Sequence, residues 1–164
     1  LVVVDQFYPN QIFFYLAVTY VAAACSDTWS TEIGTLRNFK TYNILTFKKI
    51  EQGVSGGVSL MGSMGGLLGA IVIAAVSIFW INDTNILYLI VIAALFGNFS
   101  DSIIGATIQV KYKCKVCKKI TEKRRHCDSE TLYNNGVKFV NNDLVNILGG
   151  ISSMLFFNFI KLLF

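Results

Sequence analysis

Asp27, Glu32, Asp101 and Asp143 are carboxylates at the edges of long apolar stretches, where ionised groups are costly and usually functional. Amides accompany them: Asn98 ahead of Asp101, and Asn142 and Asn146 on either side of Asp143. On a helix, Asn98, Asp101 and Gly105 share one face, Asn142 and Asn146 share another with Gly150, and Asp27 aligns with Thr31 and Gly34. Glu32 lies about 140° around from Asp27 and reaches the same point only where the helix ends. Carboxylates, amides and hydroxyls without His form a hard-oxygen set. Such a set suits Mg²⁺ held by one or two carboxylates together with substrate phosphates. The competing view is that Asp and Asn cap helix ends that meet water. That view is adequate for Asn141 and Asn142. It is poor for Asp27, Glu32 and Asp101, which fall on C-terminal turns where the helix dipole disfavours anions.

Two further groupings bear on chemistry. The stretch Lys48-Lys49-Ile50-Glu51-Gln52-Gly53-Val54-Ser55-Gly56-Gly57-Val58-Ser59 leads into an apolar segment. Its glycines let backbone N–H groups turn toward an anion at a helix N-terminus. Ser55, Gly56, Gly57 and Ser59 are the expected phosphate cradle, with Lys48 and Lys49 adding charge. The spacing is not that of a Walker A loop, and by itself the segment reads equally as an interhelical turn. Cys114-x₂-Cys117 followed by His126-Cys127 puts four soft ligands in one loop, the pattern of a closed structural Cys₃His zinc site. Unligated thiols in a basic loop are the alternative, since disulfides are not expected in a cytosolic loop. Cys25 falls inside an apolar stretch and is assigned to packing.

The elements that position these groups are membrane spans. Of the 164 residues, 54% are hydrophobic and 15% charged, against about 25% charged in soluble domains. Four stretches, roughly 11–34, 58–81, 85–108 and 142–164, each approach the ~20 residues that a span requires. The expectation is an all-α polytopic membrane helix bundle, one membrane domain over 1–164, with a polar loop at 109–140. Asn82-Asp83-Thr84 joins the second and third spans as a tight turn. Of 14 basic residues, all but Lys161 lie in 37–49 and 111–138. Both basic loops therefore lie on one side, which the positive-inside rule makes cytosolic. Asp5, Asp83 and the C-terminus then face outward, and Lys161 snorkels. Lys and Arg alone set this orientation, yet it brings all four carboxylates to the same depth. The basic loops serve as topology signals touching anionic headgroups, or Lys111, Lys123, Arg124 and Arg125 grip a nucleotide. Nucleic-acid binding is discounted for lack of a soluble basic face. In the second span, Gly62/Gly66 and Gly65/Gly69 are small-xxx-small pairs that read as helix packing. Ser26-Asp27-Thr28 and Ser100-Asp101-Ser102 form a weak internal echo, compatible with a duplicated two-helix unit. The first methionine is Met61 and no signal peptide is evident, so the chain is expected to be the C-terminal part of a longer protein.

The same residues carry a resemblance. Ala23-Ala24-Cys25-Ser26-Asp27-Thr28-Trp29-Ser30-Thr31-Glu32-Ile33-Gly34 resembles the A-x-x-x-D-T-x-x-S-E-[IL]-G signature of the transmembrane-protein-19-like family, which includes the chloroplast phytyl-phosphate kinases. Gly53 to Ser59 is similar to its G-x-x-G-G-V-S motif, Asp101 to Ala106 to its D-S-x-x-G-A segment, and Asn142 to Asn146 to its N-D-x-V-N motif. The Cys114, Cys117, His126 and Cys127 spacing is similar to that of prokaryotic members. Ser30-Thr31 stands where the family usually has Ala-Ser, and the family's additional N-terminal helices have no counterpart here.

The resemblance implies transfer of phosphate from a nucleoside triphosphate, CTP, to a prenyl monophosphate such as phytyl or geranylgeranyl phosphate. Mg²⁺ would be held by Asp27, Glu32, Asp101 and Asp143, phosphate by Lys48, Lys49, Ser55, Gly56, Gly57 and Ser59, with Asn98, Asn142 and Asn146 orienting ligands. The expected partners are membrane lipid and nucleotide, with N-terminal helices or a second copy completing the bundle. The alternatives are a CTP-dependent lipid-phosphate cytidylyltransferase and a non-enzymatic transporter or ion-binding protein.

Overall fold

The computed structural model describes residues 11–163; Asp5 and Phe164 lie outside the described residues. Four helices form the bundle: α1 (Ile12–Thr35), α2 (Leu60–Ser77), α3 (Thr84–Thr107) and α4 (Asn142–Lys161). Each is long and apolar enough to cross a membrane. Leu67, Leu68, Ile71, Val72 and Val76 of α2 are exposed, the outward apolar surface of helices surrounded by lipid. The interior instead collects small residues, including Ala22, Ala23, Ala70, Ala93 and Ala94, around Ile90 and Phe157.

Capping residues set the helix starts. Ser59 accepts from the Gly62 amide at 3.1 Å, Asp83 from Asn85 at 2.9 Å and Asn141 from Leu144 at 3.0 Å, each satisfying an otherwise orphaned donor. The second span is shorter than the expected 58–81. Val58 pairs with Tyr42 in a sheet, and the chain turns out of the helix after Ser77, whose carbonyl accepts from Trp80 and Ile81.

The expected all-α architecture holds for the spans, but the two long loops fold into small antiparallel sheets. In the first loop, β1 (Thr41–Asn43) lies between β2 (Lys49–Ile50) and β3 (Gly57–Val58). In the second, β4 (Lys111–Lys113) lies between β5 (Ile120–Thr121) and β8 (Leu132–Asn135). A hairpin of β6 (Arg125–His126) and β7 (Ser129–Glu130) interrupts the second loop. Both three-stranded sheets share one topology: the first strand after a helix is central, and the last strand before the next helix pairs with it. A helix–sheet–helix unit thus occurs twice, in the positions marked by the Ser26-Asp27-Thr28 and Ser100-Asp101-Ser102 echo.

The most extensive helix contacts are α1 with α2 and α3 with α4. α1 lies directly on the glycine face of α2. A Cβ at Gly62 would stand 2.9 Å from the Ser30 carbonyl, one at Gly65 2.7 Å from that of Trp29, and one at Gly69 2.8 Å from that of Cys25. Such close backbone approach is how membrane helices gain packing when lipid competes equally for apolar contact. We predict that Gly65→Leu destabilises the protein by about 1–3 kcal/mol through overpacking, read as a lower thermal midpoint in detergent. Leu68→Ala, at a 51% exposed position, should leave that midpoint nearly unchanged.

Candidate active site

α1 and α3 run toward the two sheet-bearing loops and end there, while α2 and α4 begin there. Their mutual depth is fixed by a buried hydrogen bond in which Asn98 Nδ2 donates to Ser26 Oγ at 2.9 Å. Gly66 leaves room for it, since a Cβ there would lie 2.5 Å from Asn98 Nδ2. Asp27 follows Ser26 by one residue and Asp101 follows Asn98 by three, and both line a cavity of about 300 Å³. α4 completes this wall. Asn146, with its amide oriented to suit its neighbours, donates to Asp101 Oδ2 at 3.0 Å and to the Asn142 carbonyl at 3.1 Å. A Cβ at Gly149 would stand 3.0 Å from that of Asp101, so this glycine admits the aspartate.

The loops form the opposite wall. Glu32, Ser55, Gly56, Gly57, Ser59 and Asn142 also line the cavity. Gly56 adopts φ +81° and packs so closely that a Cβ would lie 2.4 Å from that of Ala106. The glycine-rich loop is thereby pressed onto the last turn of α3, and the Ser59 hydroxyl already serves as the α2 cap. Gln52 donates to the carbonyls of Gly34 at 2.5 Å and Arg37 at 2.6 Å, capping the end of α1.

Three groups that the motif reading did not assign to the metal or phosphate site belong to this wall or support it. Ser55 Oγ donates to Gln109 Oε1 at 2.6 Å. Gln109 Nε2 is buried and unpaired among the described residues; it lies beside Glu122 and favours the ionised carboxylate, but out of hydrogen-bond geometry. Glu122 lines the cavity. Burial pushes its carboxyl above the ordinary range, opposed by Gln109, the Ser55 backbone and the Lys111 charge. Lys111 is buried and donates to the carbonyls of Ser55 at 3.4 Å and Ala106 at 3.5 Å. Desolvation lowers its pKa while Glu122 acts to raise it. Asp101 feels the like charges of Asp27 and Glu122.

Not every expected site residue converges. Asp143 is exposed, accepts only a long 3.5 Å contact from Asn141 and does not line the cavity. It sits about 100° around α4 from Asn142, which turns it away. Lys48 and Lys49 are exposed and also outside the lining, as are Lys123, Arg124 and Arg125. Glu122 and Gln109 carried little signal, because one is a lone acid among lysines and the other a single amide just past a helix. Cys114, Cys117, His126 and Cys127 do converge, with ligand atoms within 4.8 Å of one another.

A second cavity of about 90 Å³ shares Asp27, Thr28, Asn98, Asp101 and Asn146 with the first. It continues between the helices past Tyr20, Ala23, Ala24, Gly97, Gly149 and Gly150. From Asp27 to Tyr20 this is about 10 Å along α1.

Residues 1–154 match the family described as integral membrane protein DUF92, and the chain belongs to that family, in keeping with the resemblance drawn from its four motifs. It is 31% identical over 157 residues to Protein PGR of Arabidopsis thaliana, covering 85% of this chain and 54% of the relative. It is 32% identical over 156 residues to Protein VTE6, chloroplastic, of the same plant, covering 92% and 40%. An uncharacterized membrane protein, MJ0933, of Methanocaldococcus jannaschii is 35% identical over 94 residues, covering 57% and 40%. The chain thus spans 40–54% of the length of these relatives. No solved structure matches.

The electrostatics of Glu122 yield a pH prediction. Because its folded-state carboxyl titrates higher than in the unfolded chain, the native state holds the extra proton between the two values. Stability then falls as pH rises from about 4.3, the ordinary Glu value, through the raised one. Glu122→Gln removes this fall, so in protein dialysed into Mg²⁺-free buffer, without chelator, its thermal midpoint should gain on the parent's as pH increases across that window. Asp101 and Lys111 are coupled to Glu122, so the difference reports Glu122 together with its pull on these two groups.

Proposed function

We propose that this member of the DUF92 family is a membrane-embedded kinase that transfers the γ-phosphoryl group of a nucleoside triphosphate, CTP, to a prenyl monophosphate such as phytyl or geranylgeranyl phosphate. One observation carries the reading. Carboxylates from two spans and one loop face a single polar cavity at the basic-loop end, and a smaller cavity that shares Asp27 and Asp101 with it extends between the helices along Ala23, Ala24, Gly97, Gly149 and Gly150. A phosphorylated lipid has this division, with an anionic head and a hydrocarbon tail. By the positive-inside rule, the cavity opens to the cytosol, where nucleotides are found.

The donor set of carboxylates, amides and hydroxyls fits Mg²⁺, which prefers hard oxygen ligands and keeps substrate phosphates in its shell. Asp27 and Asp101 would hold it, with Glu32 and Glu122 reaching it directly or through water. When bound, Mg²⁺ neutralises charge on the triphosphate. Asn146 fixes the Asp101 carboxylate, the Ser55 and Gly56 amides would face phosphate oxygens, and Lys111, held behind them on the Ser55 carbonyl, adds positive charge. The acceptor is already an anion at neutral pH and needs no strong general base. Its oxygen attacks the γ-phosphorus, the bond to the β-phosphate oxygen breaks, and CDP leaves as the prenyl diphosphate forms. Phosphoryl transfer of this kind is mainly positioning and charge stabilisation, which accords with a cavity lacking His.

The full-length protein, supplied with geranylgeranyl phosphate and CTP labelled separately at the α- and γ-phosphates, should transfer only the γ label to lipid. Label arriving from the α position instead identifies a cytidylyltransferase and defeats the proposal. Asp27→Asn and Asp101→Asn should each lower kcat by roughly 100-fold or more while the protein stays folded; Glu51→Gln, an exposed residue paired only with Lys119, should not. Ala24→Phe narrows the cleft and should raise KM for the lipid with kcat held within about twofold. Full turnover in both aspartate variants would remove these residues from the site.

A further inference from the structure

Among the described residues, the Cys114, Cys117, His126 and Cys127 cluster has no part in phosphoryl transfer. Its geometry is nonetheless specific. After β4 the chain doubles back, with the Lys118 amide donating to the Cys114 carbonyl at 3.2 Å and the Cys114 amide to that of Lys119 at 2.9 Å. Inside this turn the Val116 amide donates to Cys114 Sγ at 3.4 Å, and Lys118 is left-handed at φ 62°. Facing it is the β6–β7 hairpin, in which His126 pairs with Ser129. Its two central residues, Cys127 and Asp128, both adopt positive φ, 51° and 55°. Such turns ordinarily use Gly or Asn.

The strain places the side chains face to face. His126 Nδ1 lies 3.5 Å from Cys117 Sγ and 3.1 Å from Cys127 Sγ. One ring N–H has a single proton to offer two sulfurs, whereas a bound metal ion satisfies both sulfurs and the nitrogen together. The 4.8 Å limit on the ligand atoms accommodates a tetrahedral zinc site, whose sulfurs stand roughly 3.8 Å apart for Zn–S bonds of about 2.3 Å. The surrounding chain has no apolar core to hold it: 115–119 and 123–125 are exposed, and Cys114 is the buried member of the cluster. Glu122 lies between the two ligand pairs, and it lines the cavity.

We propose that Cys114, Cys117, His126 and Cys127 bind one structural Zn²⁺ ion, and that this clip holds the intervening segment so that Glu122 reaches the cavity. The metal site stands apart from the kinase reading; the role given to Glu122 rests on it. Purified full-length protein should carry one zinc per chain, and Co²⁺ exchanged for it should give the visible absorption of a tetrahedral thiolate complex. The double variant Cys117→Ser with Cys127→Ser should lose metal affinity by at least about 100-fold. Tryptic cleavage at Lys118 to Arg125 should become roughly tenfold faster after chelation, as a released loop opens locally. Wild-type protein that holds no zinc and gives no such Co²⁺ spectrum overturns the site, as does a double variant that keeps its zinc. Unchanged cleavage after zinc removal overturns the clip. Zinc-loaded, folded protein that transfers no phosphate overturns the kinase reading and leaves the metal site standing.

Discussion

The hydrogen bond from Asn98 to Ser26 is the contact on which the arrangement depends. Nothing in lipid competes well for a buried amide, so an unmet Asn98 would carry a desolvation cost of about 1–3 kcal/mol. Meeting it requires α1 and α3 to stop at one relative height. The neighbouring aspartates then line the same cavity. The bond itself depends on an absent side chain, because any Cβ at Gly66 would occupy the place of Asn98 Nδ2. The glycine stripe of α2 therefore does more than pack: it brings the α1 backbone and the Asn98 amide into the space that side chains would have filled.

Once set, that geometry creates an electrostatic problem. Asp27 and Asp101 lie eight and six residues before the ends of their helices and line one cavity, and Glu122 adds a third like charge acting on Asp101. The buried cation at hand, Lys111, is directed to the Ser55 and Ala106 carbonyls. An arrangement that destabilises the empty protein is consistent with a site shaped for cationic or cation-bearing ligands. It also explains why Asn146 donates to Asp101, since an amide supports a carboxylate without cancelling its charge.

The sequence made the spans legible because length and apolar content are all that a span requires, and it made the carboxylate depth legible because Lys and Arg mark one side independently of the acids. Azimuth was harder to read. Asn142 and Asn146 share a face, and α4 turns that face inward, so Asp143 between them turns outward although it starts α4 at the same end of the bundle. Glu32, 140° from Asp27 by the helical period, still reaches the cavity because α1 ends at Thr35. The sheets escaped notice because strands of two to four residues are too short to show alternation. With them went Gln109 and Glu122, which the fold of the second loop brings to the site. The Cys/His set needed no such help: the four side chains singled out by spacing come together in the fold.

The duplicated unit accounts for how one site came to draw on so many elements. Each copy contributes a helix with an aspartate in its loop-side half, a three-stranded sheet whose central strand follows that helix, and a capped helix starting beside it. Two such copies packed side by side must place their helix ends, loops and caps at one end of the bundle, because both copies run in the same direction. A cavity between like halves follows from the packing, and each half supplies it with one aspartate from its first helix. The copies differ where function would need asymmetry. The first supplies the glycine-rich loop that lies against α3, and the second carries the inserted β6–β7 hairpin with the Cys/His cluster beside Glu122. One half thus presents the glycine-rich loop and the other Glu122 with Gln109, so that the pocket between them has two unlike walls.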